Sequence, residues 1–91
     1  MNRRKLKKNL NQIVEQLADS CLELESRFPE KSLKINMIID DAAELLDDVM
    51  HEIGNHSQFV GPEIKVHFAR INKDFDQRLE ELEARLDELA K

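Results

Sequence analysis

The sequence predicts an all-α protein folded as an up-down-up antiparallel three-helix bundle, and three observations predict it. Apolar residues recur at spacings of three and four along nearly the whole chain. Gly and Pro fall in only two places, Pro29 and the stretch Gly54 to Pro62, and so cut the pattern into three segments. With 36% charged and 41% apolar residues, four Phe and neither Trp nor Tyr, the composition suits helices and fits β architectures poorly. At 91 residues the chain is read as a single helical-bundle domain, 1–91.

The first helix is expected over about 4–28. Leu6, Leu10, Ile13, Val14, Leu17, Cys21, Leu24 and Phe28 occupy an arc of about 100°, the width of one core-facing stripe. Pro29 ends it, because the residue before a proline is pushed out of the α region. The second helix is expected over 32–53, with Ser32 as N-cap. Ile35, Ile38, Ile39, Ala42, Leu45, Leu46, Val49, Met50 and Ile53 make a broader stripe of about 140°, enough to touch both other helices. Asp40, Glu44, Asp47, Asp48 and His51 fall on the opposite side. Gly54-Asn55 serves as a stop through a left-handed residue.

A turn-rich loop, Asn55 to Gly61, leads into a third helix over 62–90, with Pro62 as its first residue and Glu63 in its first turn. Ile64, Phe68, Ile71, Phe75, Leu79, Leu82, Leu86 and Leu89 form a narrow stripe of about 80°, coiled-coil-like in width. Asp74–Arg78, Glu81–Arg85 and Asp87–Lys91 are spaced as i,i+4 acid-to-base pairs that support an exposed helix. Short connections make the three helices antiparallel neighbours, and a chain this small has a thin core that oligomerisation commonly supplements.

The stretches KLKKNLNQIVEQLADSCLE and HFARINKDFDQRL resemble a group of small uncharacterised all-helical bacterial proteins. The resemblance spans most of the chain. It implies the helical fold and carries no site or function across.

Little in the sequence suggests catalysis, and the chain is expected not to be an enzyme and to need no cofactor. Glu44, Asp47, Asp48 and His51 are a weak surface candidate for a metal, since Asp48 and His51 imitate the Glu-x-x-His step of di-iron bundles. Their outward placement favours a solvated acidic face instead. Cys21 sits mid-helix on the core face, where a thiol is packed rather than reactive. His56 and Ser57 share the loop without an orienting acid or an oxyanion hole, and His67 lies on the flank of the third helix. There is no Gly-rich phosphate loop, Cys-x-x-Cys or His-Glu-x-x-His.

Partners are suggested by charge and by apolar residues off the stripes. Arg3, Arg4, Lys5, Lys7 and Lys8 place five positive charges in the first eight residues and leave a net −10 on the other 83. Glu80, Glu81, Glu83, Asp87 and Glu88 crowd the end of the third helix. Both placements oppose the helix dipole, so local helix physics did not choose them. One local account sets the basic start beside Asp47, Asp48 and Glu52 at the end of the second helix. Leu22, Leu33 and Met37 lie off the stripes at one end of the bundle and form a candidate contact patch; Val66 is off-stripe on the third helix.

The leading expectation is a non-catalytic helical interaction protein that self-associates as a homodimer and offers helix faces to a protein partner. A nucleic-acid-associated regulator using the basic arm ranks second, weakened by the acidic remainder and the lack of stacking aromatics. A peripheral membrane helix ranks third, because the basic residues stop after Lys8. The longest apolar run, Met37 to Ile39, is far too short to span a bilayer. The basic start has no apolar h-region behind it, and the single cysteine cannot form an internal disulfide, so the expected location is cytoplasmic.

Overall fold

Periodicity and punctuation place the helix boundaries within a residue of where they lie. The computed structural model describes residues 3–54 and 61–91. Helix α1 runs Arg3–Arg27, a 3-10 turn occupies Pro29–Lys31, α2 runs Ser32–Gly54 and α3 runs Pro62–Ala90. The protein is an all-α three-helix bundle, a rod with extents of 50 × 18 × 17 Å. Helix α2 packs along both neighbours, whereas α1 and α3 meet sparingly.

The core lies where the stripes converge. Cys21, Ile35, Ile53 and Phe75 are completely buried, and Leu6, Leu10, Ile38, Leu45, Val49 and Ile71 nearly so. Ile13, Leu79, Leu86 and Leu89 are stripe residues only partly covered. Phe28, at φ −133° and ψ 70°, leaves the helical region before Pro29, as the proline requires. Gly61 takes a positive φ of 57° and delivers the chain to Pro62 at the head of α3.

Three local expectations are corrected. Ser32 is not an N-cap: the 3-10 turn runs directly into α2, so Ser32 already has helical angles (φ −52°, ψ −42°). Its hydroxyl donates instead to Glu25 Oε2 at 3.1 Å, tying α1 to α2 across the turn. Gly54 closes α2 without a left-handed conformation; Asn55 and the rest of the loop to Val60, including His56 and Ser57, lie outside the described residues. Two of the three i,i+4 pairs of α3 are replaced by bonds to α2, and the third by an i,i+3 pair. Arg78 Nη2 meets Asp48 Oδ2 at 3.3 Å and Arg85 Nη1 meets Asp41 Oδ2 at 2.7 Å. Lys91 pairs with Glu88 rather than Asp87, at 3.4 Å. Both arginines flank the α3 stripe on the side facing α2, so a long guanidinium arm reaches across the helix interface as readily as along its own helix. Asp41 and Asp48 are seven residues apart, as are Arg78 and Arg85, and the crossed order of the pairing is the signature of antiparallel helices.

Candidate interaction surfaces

Among the described residues, the ends of the rod and the grooves that flank α3 on its α1 and α2 sides are surfaces on which a partner could act. The C-terminal ends of α2 and α3 are each covered by another element. His67 Nε2 lies 3.0 Å from the Glu52 carbonyl, one of the orphan carbonyls closing α2. Lys31 Nζ donates to the Leu89 carbonyl at the end of α3 while resting 4.8 Å from the centroid of the Phe28 ring. Helix α3 has no basic residue in its last turn. The ammonium that its dipole calls for arrives from the 3-10 turn instead, and nothing in the local sequence of α3 signals it.

The residues singled out from sequence are dispersed. Glu44, Asp47, Asp48 and His51 are all exposed on α2. Asp48 is turned to the α3 flank and engaged with Arg78, a correction to its assignment to the wholly solvated face. The described residues gather no group of three or more His, Cys, Asp or Glu able to hold a metal. Cys21 is fully buried, and burial pushes its thiol above the usual range, which suppresses the thiolate that reactivity needs. Leu22, Leu33, Met37 and Val66 are exposed. Met37 opens on the groove between α2 and α3 with Ile38 and Leu89, Leu22 stands on α1, and Val66 lies beside Pro62 and Arg70 at the far end of the rod.

The charged segments are also divided. The basic start of α1, Arg3 to Lys8, lies at the end of the rod where α2 finishes. The acid-rich end of α3 lies beside the Pro29–Lys31 turn at the other end. Within that acidic end, Glu81 faces the α2 side near Asp41 and Arg85, and Glu88 lines the groove that holds Met37. Glu83 and Asp87 face α1 across a long groove floored by Ile13, Leu17 and Leu86; Glu80 is exposed between the two sides. The groove continues past Glu23, Leu24 and Arg27 to Ala90. Among the described residues, no helix is long and apolar enough to cross a membrane. No family model, curated protein or solved structure matches this chain.

Proposed function

We propose that this chain is a non-catalytic helical interaction protein, cytoplasmic, that self-associates as an antiparallel homodimer and presents helix faces to a protein partner. The observation that supports this reading is the placement of opposite charge at opposite ends of a 50 Å rod. Five cations near the start of α1 and five acids near the end of α3 are too far apart to neutralise one another within a single molecule, given a screening length of about 8 Å at physiological salt. A two-fold axis across the rod brings each basic start beside the acidic end of the other copy, twice by symmetry. Such charges set orientation, and apolar contacts supply most of the affinity.

Light scattering across a concentration series tests the reading. The expected result is a species of twice the 10.6 kDa chain mass at low salt, shifting toward the monomer as salt rises. A clean monomer throughout the micromolar range at low salt overturns it and leaves the basic arm to another acidic ligand. In that case, binding to duplex DNA or RNA with a steep salt slope brings forward the nucleic-acid reading.

A further inference from the structure

We infer that the groove between α1 and α3 is the seam of the dimer, occupied by the same groove of a second, antiparallel copy. This inference rests on the self-association proposed above and adds which face carries it. Three independent features of the groove point the same way.

The first is incomplete burial. Ile13 and Leu86 belong to the apolar stripes of α1 and α3, yet both stay only partly covered where they line this groove. The sparing approach of α1 to α3 leaves them open. The α2–α3 side has a groove of its own at Met37 and Leu89, but there Arg85 crosses to Asp41 and latches the two helices.

The second is neutrality. Asn9, Gln12, Gln16 and Ser20 recur at spacings of three and four, so they share the side of α1 bordering the groove. All four are exposed, on a chain whose residues are 36% charged. Charged residues are depleted from the centres of protein interfaces, because burying an unpaired charge is costly while uncharged amides and hydroxyls can pair with one another.

The third is charge complementarity. On the α2 side of α3, Glu81 and Glu88 share the surface with Arg78 and Arg85, which are engaged by Asp48 and Asp41; on the α1 side, Glu83 and Asp87 overlook the groove with no ion pair among the described residues. An antiparallel second copy sets its Lys5 and Lys8, from the start of α1, at that acidic rim. The strip is about 36 Å long, the length of α1, and about two helices wide, giving roughly 700 Å² in projection. That is comparable to the roughly 800 Å² per partner of a standard stable interface.

A charge exchange tests the seam and its orientation together. Lys5→Glu/Lys8→Glu makes both ends of the seam acidic, and Glu83→Lys/Asp87→Lys makes both basic. Each variant alone, checked for helicity by circular dichroism, is expected to dimerise at least about tenfold more weakly than the parent. An equimolar mixture of the two is expected to recover the dimer, because each acidic end then meets a basic one. Gln16→Glu, a charge at the centre of the strip, is expected to weaken the dimer, and Leu33→Glu on the outer face of α2 to leave it unchanged. Parental dimers with both exchanged variants, or no recovery in the mixture, overturn the seam while self-association itself stands. A monomeric parent overturns both.

Discussion

Toward α2, helix α3 buries Ile71 and Phe75, sends Arg78 and Arg85 to Asp48 and Asp41, and covers the last turn of α2 with His67. Toward α1 it leaves a groove with Leu86 half open and Glu83 and Asp87 unengaged by any cation among the described residues. The side toward α2 is latched by ion pairs, and the side toward α1 is not. The two sides use the same kinds of residue, so the difference lies in what α1 and α2 offer in return. The broad stripe of α2 is flanked by acids that match the α3 arginines. The narrower stripe of α1 is flanked by Asn9, Gln12, Gln16 and Ser20, which neither fill the groove nor neutralise its rim.

Truncating the core on each side of α3 should give the largest effects and the clearest contrast. Phe75→Ala and Leu45→Ala remove side chains buried to within 1% exposure and should cost about 3–5 and 2–5 kcal/mol, as lost burial plus a residual cavity. Leu17→Ala, at 6% exposure on the groove floor, belongs near the bottom of the same 2–5 kcal/mol range, roughly. Leu86→Ala should cost only about 1–2 kcal/mol, since less apolar area leaves water and the gap opens to solvent. Urea denaturation of the monomer, at a protein concentration below that at which the dimer forms, measures all four. If Leu86→Ala proves as costly as Phe75→Ala, the groove is closed as tightly as the α2 side and the contrast between the two faces fails.

The ion pairs sharpen the contrast at smaller magnitude. Arg85 and Asp41 have side chains 44% and 48% exposed, so their coupling in a double-mutant cycle should be about 0.2–1 kcal/mol and fall with salt. Arg85 and Glu81, one turn apart on α3, should couple more weakly. A larger coupling to Glu81 would mean that the arginine serves its own helix in solution and that the latch to α2 contributes little.

The same arginines mark the boundary of what the sequence discloses. Stripe positions depend on a period of 3.6 residues and a hydrophobic driving force that acts on every apolar side chain, so helix ends and buried faces can be read directly. The partner of an exposed charge depends on a few tenths of a kcal/mol and on which neighbour is in reach. Asp74 and Glu81 satisfy the i,i+4 rule as well as any pair, yet Asp48 and Asp41 on the next helix hold the arginines. Ser32 has the right chemistry for an N-cap and is denied it by the three residues before it. Lys31 reaches an acceptor 58 residues away in sequence. The groove escapes a helix-by-helix reading for the same reason, because it is a property of how closely two non-consecutive helices approach. Its trace in the sequence is the uncharged run of Asn9, Gln12, Gln16 and Ser20, a signal visible only when charge is mapped by helix face rather than by segment.

The smallest expected effect concerns the exposed acids of α2: Asp47, and Glu44 at the edge of the α2–α3 groove. Glu44 and Asp47 are exposed, and neither takes part in an ion pair among the described residues. Glu44 stands four residues from Asp40 and from Asp48 and three from Asp47, spacings at which like charges on a helix repel by a few tenths of a kcal/mol per pair. Alanine also has the higher helix propensity, so Glu44→Ala and Asp47→Ala should change stability by no more than about half a kcal/mol, with the sign toward stabilisation for Asp47→Ala and nearer zero for Glu44→Ala, which borders the groove that holds Arg78 and Arg85. Because the gain is partly electrostatic, it should be larger at low salt than at high salt. Thermal melts of both variants at two salt concentrations, with and without a divalent cation, check this. Destabilisation above about 1 kcal/mol, or a cation-dependent rise in melting temperature that the variants lose, would turn this face into a ligand site. Melts that match the parent within that margin, with or without the cation, leave it a solvated acidic surface.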